Sequence, residues 1–437
     1  MFGTSGIRGP VGEDVTAALA LDVGRALGVE ADRVVVGRDP RESGELLTDA
    51  LAAGLRESGT DVIDLGVAAT PTVARSVGWR DADAGAAITA SHNPAPDNGI
   101  KLWQPSGQAF DEAGRERIAE RVRDGVADLE AWDELGTRTT WDGRERHART
   151  IADAVSLAPA DAPPVAVDLG NGAGGVSVDA LQELGCAVET LNAQPDGSFP
   201  GRPSEPTADN CASLSALVAN TDAELGVAHD GDADRLRAAT ADGSFVSGDE
   251  LLAVFAREAA SPGDTVAVPV DTSLAVADFL AEADVAVTYT PVGDVYVAER
   301  ASRPGVAFGG EPSGAWIWPD QTLCPDGPLA ACRLVALHAE EPLRERVAAV
   351  PDYPIRRESI AVEDKRAVVD RLADRITAEY DDVATLDGVR VDLGDAWFLV
   401  RASGTQPLVR ITAEARDEER ARDAFEIARD AVAGARE

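Results

Sequence analysis

A serine that could carry a phosphoryl group lies in "TASHNP", residues 89–94, directly after the apolar run 86–88. The segment has neither the G-x-S-x-G pattern of a hydrolase nucleophile nor the spacing of a P-loop. Ser91 could therefore be a nucleophile or phosphoryl carrier, or it could cap the next turn, because serine and asparagine favour such positions. Lys101, one of only two lysines in the chain, follows this serine loop (residues 89–97).

Three aspartates alternate in "HDGDADR", the aspartate loop (residues 229–235), after a predicted strand. An extended backbone would place all three carboxylates on one side, and such hard oxygen ligands suit Mg²⁺. A calcium EF-hand loop is excluded, because Arg235 and Ala241 stand where glycine and glutamate are required. A plain acidic turn is the alternative. Like charges beyond a buried strand are costly without a cation, which favours a metal site formed by Asp230, Asp232 and Asp234.

Two glycine-rich segments offer further polar ligands. In "GGEPSG", the glutamate loop (residues 309–314), the glycines would let a ligand approach the backbone, and Glu311 and Ser313 could bind sugar hydroxyls. A turn without a ligand fits this segment equally well. In the N-terminal "GTSGIRG", residues 3–9, Ser5 and Arg8 are candidate anion ligands, with a mobile terminus as the alternative.

The fifth segment is "RASGTQPLVR", the arginine loop (residues 401–410). Ser403, Gly404 and Thr405 can offer hydroxyls and backbone N–H groups to a phosphate. Arg401 and Arg410 flank them and add positive charge and bidentate donors. A structural turn is again the alternative, but small hydroxylated residues between two arginines favour phosphate binding.

The elements that must position these loops alternate between short apolar strands and amphipathic helices over most of the 437 residues. This alternation predicts three similar α/β units, in which loops that follow strands are the usual place for chemistry. Helices predicted at 365–380 and 418–432, with strands between them, indicate a smaller α+β unit. We therefore expect four domains, at residues 1–145, 146–247, 248–350 and 351–437.

The charge is strongly negative, with 77 acidic and 40 basic residues and a net charge of −37. Because the acids are spread along the chain, we interpret them as adaptation to a salty cytoplasm rather than as a partner-binding tail. The absence of a basic stripe argues against nucleic acid as a partner. There is neither a signal segment nor an apolar run of ~18 residues, so we expect a cytoplasmic protein without membrane contact. The four cysteines form no C-x-x-C pair and are predicted to be buried or incidental thiols.

The order and spacing of the four internal loops resemble those of the α-D-phosphohexomutase family, the phosphoglucomutase/phosphomannomutase superfamily, along essentially the whole chain. "TASHNP" is similar to the family's phosphoserine loop and "DGDADR" to its metal loop. "GGEPSG" and "RASGTQP" are similar to its sugar-binding and phosphate-binding loops. The resemblance implies a heart-shaped, four-domain fold with a central cleft, to which each domain contributes one loop.

The resemblance also implies a role for each candidate residue. Ser91, carried as phosphoserine, would exchange its phosphoryl group with a hexose monophosphate through a bound hexose 1,6-bisphosphate. Mg²⁺ would be held by Ser91 together with Asp230, Asp232 and Asp234. Three residues would surround the phosphoserine, namely Arg8, His92 and Lys101, the last being the favoured general acid/base if its pKa is lowered. The substrate-binding residues would be Arg235, Glu311, Ser313, Arg401, Ser403, Gly404, Thr405 and Arg410.

One departure from the family concerns position 315, where Ala315 replaces a histidine that some members are thought to use in proton transfer. The opening "MFGTSGIRG" resembles archaeal-type phosphoglucosamine mutases, which makes glucosamine 6-phosphate the favoured substrate. Mannose and glucose phosphates are the alternatives, because these sugars differ only at C2.

Two other classes of protein remain open. A metal-dependent sugar phosphatase would share Ser91 and the aspartates, whereas a non-catalytic sensor should have lost the serine or a metal ligand. For the assembly we expect a monomer or a homodimer that binds only a small sugar phosphate.

Overall fold

The computed structural model describes residue 3 and residues 6–126, 129–380, 382–403 and 408–436. Within these residues the chain forms four successive units, each built around one sheet. The first three have mainly parallel strands and the fourth is antiparallel, which confirms the predicted fold class. None of the described helices is both long and apolar enough to cross a membrane.

The first unit has a six-stranded sheet of order β1-β5-β4-β2-β3-β6, in which β1 and β5 run antiparallel to their neighbours. The strand after the serine loop, β5, was not predicted, and it carries Lys101 beside β4. The elements are β1 (Ile7–Pro10), α1 (Ala17–Gly28), β2 (Arg33–Arg38), α2 (Gly44–Glu57), β3 (Asp61–Val67), α3 (Thr70–Trp79), β4 (Ala84–Ile88), β5 (Asp97–Trp103), α4 (Glu112–Asp124) and β6 (Arg138–Thr140).

The second unit has a four-stranded sheet of order β10-β9-β7-β8, with β10 antiparallel to β9. Its first helix begins in the charged stretch 132–149 that separates the first two predicted units, where no element was expected, and runs on to Asp153. The elements are α5 (Arg144–Asp153), a 3₁₀ turn (Pro159–Asp161), β7 (Val165–Asp168), α6 (Gly175–Glu183), β8 (Val188–Leu191), α7 (Ala212–Asn220), β9 (Leu225–His229) and β10 (Leu236–Thr240).

The third unit repeats this arrangement in a sheet of order β12-β11-β13-β14. Its first helix begins with a capping box, in which Ser247 and Glu250 satisfy each other's backbone N–H groups. The elements are α8 (Gly248–Ala259), β11 (Thr265–Pro269), α9 (Leu274–Ala281), β12 (Ala286–Thr290), α10 (Asp294–Ala301), β13 (Val306–Gly310), β14 (Trp316–Ile317), α11 (Gly327–Glu340) and α12 (Leu343–Ala348).

The fourth unit is an antiparallel sheet of order β15-β19-β18-β17-β16 packed against two helices. Both helices begin at an aspartate that accepts a backbone N–H, Asp364 and Asp417. The elements are β15 (Ile355–Ala361), α13 (Lys365–Glu379), β16 (Val383–Ala384), β17 (Val389–Asp392), β18 (Ala396–Ala402), β19 (Leu408–Ala415) and α14 (Glu418–Ala435).

The hydrophobic cores join the second and third units more closely than the others. One continuous cluster of buried residues runs from Ala148 to Val350 through both units and also includes Ala69 of the first unit. The fourth unit has its own core and meets the third through a small cluster around Trp397. All four cysteines are free and buried, as predicted. The middle of the molecule is thus one packed body, and the fourth unit is attached to its side.

Candidate active site

The nucleophile candidate Ser91 follows β4 and is 1% exposed. Its φ is +51°, in the left-handed region that costs a residue with a side chain about 1–3 kcal/mol. Its N–H donates to Thr89 Oγ1 at 2.8 Å. A strained serine held by its neighbours is typical of a functional loop, and it argues against the alternative that Ser91 merely caps a turn.

The serine loop and the aspartate loop meet across two domains. Ser91 Oγ donates to Asp230 Oδ2 at 2.5 Å, and Ser91 Oγ lies 3.4 Å from His92 Nδ1. Residues far apart in the chain are thus brought together, as the sequence interpretation required.

The aspartate loop is a turn rather than the extended segment expected from its alternation, and Ala233 has a φ of +57°. The turn brings the carboxylates of Asp230, Asp232 and Asp234 together, with one oxygen from each within 4.8 Å of the others. The expectation of an extended backbone was therefore wrong. Its consequence, three carboxylates on one side, is present.

The buried oxygens of the aspartate loop suit a divalent cation. Among the residues that the structure describes, Asp232 Oδ1 and Asp234 Oδ1 are buried without a hydrogen-bond partner. Buried oxygens without partners are costly, and hard oxygen ligands are what Mg²⁺ prefers. The residues present therefore fit the cation that the family resemblance implies.

The three carboxylates differ in protonation. Burial, followed by Asp234 and Asp232, raises the pKa of Asp230 well above its usual range. Burial and Asp232 also raise the pKa of Asp234. For Asp232, burial opposes ionisation, but Lys101 and the hydrogen bond from Thr70 hold its pKa below the ordinary value. The cluster thus resists holding three negative charges by itself.

Lys101, on β5 of the first domain, pairs with two carboxylates of the aspartate loop in the second. Its Nζ lies 3.0 Å from Asp232 Oδ2 and 2.5 Å from Asp234 Oδ2. Burial lowers its pKa, but the two carboxylates outweigh burial and raise the pKa above the ordinary lysine value. The sequence interpretation required a lowered pKa for a base, and in this arrangement Lys101 is instead a cation paired with two carboxylates.

Arg8 and Arg235 bring further positive charge to the site. Arg8 lies on β1 opposite Gly99 of β5, and its Nε is buried without a partner among the described residues. The backbone N–H of Arg235 donates to Asp230 Oδ1 at 3.2 Å. Burial, then Arg235 and Arg8, lower the pKa of His92 to about 2, so its imidazole is neutral.

The glutamate loop is joined to the end of the aspartate loop. Arg235 and Ala315 form a β-bridge. Glu311 Oε1 accepts the N–H of Gly293 at 2.7 Å and Oε2 accepts the Ser313 hydroxyl at 3.1 Å. Burial, followed by Asp294, raises the pKa of Glu311 to about 7. A buried carboxyl beside a partly exposed hydroxyl can bind the hydroxyls of a sugar.

The arginine loop begins on β18 and ends on β19, where Arg401 and Arg410 are direct cross-strand partners and share one face of the sheet. Arg401 Nε lies 2.9 Å from a carboxylate oxygen of Asp387. Ser403 is buried, and its N–H donates to the carbonyl of Leu408 at 3.0 Å. Three predicted ligands lie outside the described residues, namely Ser5, Gly404 and Thr405.

Sequence reasoning missed three residues that hold these loops. Arg41 binds the serine loop from below, Thr70 donates its hydroxyl to Asp232 Oδ2 at 2.7 Å, and Asp387 pairs with Arg401. Arg41 was detectable in "GRDPRESG", because Asp39 and Arg41 form a pair of opposite charges just after a predicted strand. Nothing local distinguishes Thr70 or Asp387 from other threonines and aspartates.

Comparison with protein families gives four matches in chain order. The models describe phosphoglucomutase/phosphomannomutase alpha/beta/alpha domain I over residues 1–127, domain II over residues 145–243 and domain III over residues 247–353. The C-terminal domain of the same family matches residues 359–431. The four matches together cover most of the chain.

Individual proteins agree with these matches. A protein from Methanopyrus kandleri named "Probable phosphoglucosamine mutase" is 47% identical, over 97% of this chain and 95% of the relative. A protein of the same name from Methanosarcina barkeri is 43% identical, over 95% of each chain. The crystal structure of a phosphoglucomutase/phosphomannomutase family protein from Burkholderia thailandensis covers 100% of this chain and 98% of that one, with a TM-score of 0.88 and 29% identity.

Proposed function

This chain belongs to the phosphoglucomutase/phosphomannomutase family, and on that premise we propose that it interconverts a hexose 6-phosphate and the hexose 1-phosphate. The observation that carries the proposal is the 2.5 Å contact between Ser91 Oγ and Asp230, which lies within the three-carboxylate cluster. That contact joins a phosphoryl carrier to a cation site. A phosphoryl transfer is catalysed mainly by such positioning and charge neutralisation.

The reaction has two transfers. Phosphorylated Ser91 gives its phosphoryl group to the free hydroxyl of the sugar monophosphate. The P–Oγ bond breaks, a bond to the sugar oxygen forms, and the sugar hydroxyl loses its proton. The resulting hexose 1,6-bisphosphate turns over in the cleft, returns its other phosphoryl group to Ser91, and leaves as the isomeric monophosphate. The phosphoserine is part of this proposal.

The aspartate loop would hold Mg²⁺ through Asp230, Asp232 and Asp234 together with an oxygen of the phosphorylated Ser91. A bound Mg²⁺ supplies positive charge that neutralises the transferring phosphoryl group. The support for this assignment is the pair of unpartnered buried oxygens on Asp232 and Asp234. Arg8 and Arg235 flank the same group and add positive charge.

Proton transfer falls to the two other groups beside Ser91. His92 lies beside Ser91 Oγ, and Lys101 is paired with two of the carboxylates, so these two groups would move the proton between the sugar hydroxyl and Ser91. Proton transfer by these two groups would account for catalysis with Ala315 where some family members have histidine.

The sugar is held at the other side of the cleft. Glu311 and Ser313 would bind ring hydroxyls, and Arg401, Arg410, Ser403, Gly404 and Thr405 would anchor the phosphate that does not react. We favour glucosamine phosphate as the substrate, because two relatives at 43–47% identity carry the name phosphoglucosamine mutase. Mannose and glucose phosphates are the alternative substrates.

The test is an isomerase assay in molar KCl with Mg²⁺ and a trace of hexose bisphosphate. Glucosamine, mannose and glucose 6-phosphates are offered separately and kcat/KM is compared. We expect at least a tenfold preference for glucosamine phosphate, about 1.4 kcal/mol of transition-state discrimination. Equal or faster turnover of another sugar would overturn the substrate assignment and leave the mutase reaction intact.

Intact-protein mass separates the mutase from the rival classes. We expect a fraction of the protein to carry one phosphoryl group, and the Ser91→Ala variant to carry none. Release of inorganic phosphate in place of isomer would identify a phosphatase. Sugar-phosphate binding without either product would identify a sensor.

The remaining assignments concern the whole chain. We propose domain boundaries at residues 145/146, 247/248 and 350/351, a cytoplasmic protein, and a monomer or homodimer without nucleic-acid or membrane partners. The net charge of −37 supports a salty cytoplasm as the working environment. Activity that rises from 0.1 M to 2 M KCl would agree with this, and activity highest at 0.1 M would contradict it.

A further inference from the structure

A single buried guanidinium lies beneath the serine loop. Arg41, at the β2–α2 connection, is 2% exposed. Its Nε donates to Asp39 Oδ2 at 2.9 Å, and its two Nη atoms donate to four backbone carbonyls of one loop. These carbonyls belong to Pro94 (2.6 Å), Asn93 (2.7 Å), Asp97 (2.8 Å) and Ser91 (2.9 Å). The four carbonyls converge on one cation, so the guanidinium fixes the backbone conformation of the serine loop.

A second set of bonds reaches the other side of Ser91. Asp39 Oδ2, which accepts Arg41, also accepts the hydroxyl of Thr89 at 2.7 Å. Thr89 Oγ1 in turn accepts the N–H of Ser91 at 2.8 Å. Both peptide groups that flank the Ser91 Cα are therefore bonded into one network with Arg41. This network accounts for the persistence of the left-handed backbone at Ser91.

The same network reaches the aspartate loop in the neighbouring domain. The Ser204 hydroxyl donates to the Ser91 carbonyl at 2.8 Å and accepts the N–H of Gly231 at 3.0 Å. The Phe199 ring lies 4.9 Å from the Arg41 guanidinium carbon. The Ser91 carbonyl thus receives two donors, one from each domain. Its position relative to Asp230 is fixed by buried groups of both domains.

We propose that Arg41 is a positioning residue for the phosphoryl transfer, which presents Ser91 Oγ to the cation site without touching the substrate. The inference rests on the function proposed above. Five donors in a planar fork are needed to bind one carboxylate and four carbonyls at once. A lysine retains the charge but offers three donors from one nitrogen, so Arg41→Lys should loosen the loop while keeping the buried charge.

The experiment compares Arg41→Lys with wild type and with a matched control, Arg115→Lys. Arg115 is an arginine of the same domain, 8% exposed, on α4, and its Nη1 donates to the carbonyl of Phe110. We expect Arg41→Lys to lower kcat about 100-fold with KM changed less than threefold, because small misplacements of a reacting group have effects of this size. Phosphorylation of Ser91 by hexose 1,6-bisphosphate, followed by intact mass, should slow by a similar factor. Arg115→Lys should change kcat less than threefold.

A purely structural role predicts a different pattern. Equal losses in both variants, or a kcat of Arg41→Lys within threefold of wild type, would overturn the proposal. If Arg41→Lys does not fold, Thr89→Val removes one member of the network, and we expect about a tenfold lower kcat at unchanged KM. An unchanged kcat in that variant would also count against the proposal. If wild type isomerises none of the sugar phosphates, the proposed function fails instead, independently of the variants.

Discussion

The two ends of the proposed site, the serine–aspartate end and the arginine-loop end, differ in how far their charged side chains are buried. At the serine–aspartate end, the side chains of Lys101, Asp232 and Asp234 are 4%, 0% and 6% exposed. At the arginine-loop end, the side chains of Arg401 and Asp387 are 30% and 28% exposed. The first end is joined across domains by direct side-chain hydrogen bonds, whereas the second lies on the separately packed fourth domain.

The difference matches the work that we propose for each end. A phosphoryl group in transit needs charges that are already in place, and those charges act more strongly when water is excluded. A phosphate anchor must instead release and rebind its ligand during each catalytic cycle. Variants at the first end should therefore affect kcat, and variants at the second end should affect KM.

The largest effect is expected at the buried end, from Asp232→Asn. Asp232 holds Lys101 and Thr70 and is a proposed cation ligand. Removing its charge should lower kcat by about 10³-fold or more, since each 1.4 kcal/mol of lost stabilisation is a factor of ten. Steady-state kinetics would measure kcat, and titration with Mn²⁺ would measure cation affinity. We expect both to fall, with little change in KM.

The matched control is Asp209→Asn, an exposed carboxylate of the same domain. It should leave kcat within twofold of wild type. A loss in Asp232→Asn that appeared in KM rather than kcat would contradict the assignment of the chemistry to the buried end.

At the exposed end, Arg401→Met should raise KM about 10- to 100-fold with a smaller effect on kcat. The physical reason is the loss of charge-assisted hydrogen bonds to the phosphate, which contribute about 1.5–3 kcal/mol each. Steady-state kinetics on the preferred sugar phosphate would measure it. Arg422→Met, on the exposed face of α14, is the control and should change neither constant. A fall in kcat at unchanged KM would erase the distinction between the two ends.

How far the sequence predicted this arrangement depends on whether a feature is local. Ser91, the three aspartates and Glu311 each follow a predicted strand, the usual place for chemistry in an α/β unit, so each was detectable as a candidate. The three strands belong to three different sheets, and the family resemblance, not the strand pattern, implied that the loops meet. Arg41 stands in a charged pair just after a predicted strand, which was a local signal, whereas Thr70 and Asp387 act through contacts between segments far apart in the chain. Such contacts leave no local spacing to detect.

The helices and strands were likewise predicted well where their sequence signal is local. Amphipathic helices such as α8 and α14 were predicted within three residues of their bounds. Strand β5 was missed because its residues, "DNGIKLW", begin with three turn-forming residues and lack alternation. The turn in the aspartate loop was missed because its alanine adopts a positive φ, a conformation that alanine rarely adopts.

Glu311 belongs to the glutamate loop, the third part of the proposed site. Because its pKa is about 7, the pH dependence of activity and stability tests whether it belongs with the buried end. We expect kcat/KM to fall below pH 7, because the ionised form of Glu311 accepts hydrogen bonds from the sugar hydroxyls. In Glu311→Gln this acidic limb should be absent. The folded-state pKa of Glu311 is raised above the unfolded value near 4.5. Its contribution to the stability of the fold is therefore fully present below pH 4.5 and is lost as the pH rises through about 7.

Thermal unfolding between pH 4.5 and 8 would measure the stability part of this prediction. Wild type should lose stability over this interval relative to Glu311→Gln. Parallel stability curves would show that Glu311 titrates normally, and the glutamate loop would then belong with the exposed end.

The smallest effect, and the sharpest test of cross-domain positioning, is Thr70→Val. Thr70 begins α3 in the first domain, and it bonds Asp232 of the second twice: its hydroxyl donates to Oδ2 at 2.7 Å and its N–H donates to the backbone carbonyl at 2.9 Å. Valine keeps the shape and the backbone bond, so only the hydroxyl bond is lost, about 1 kcal/mol. Kinetics should give a kcat about 5- to 10-fold lower at unchanged KM. The control is Thr48→Val, since Thr48 is equally buried and its hydroxyl lacks a partner among the described residues. Thr48→Val should leave kcat unchanged and keep or raise the melting temperature. Equal kcat values in Thr70→Val and Thr48→Val would mean that the buried end does not depend on the contact between its two domains.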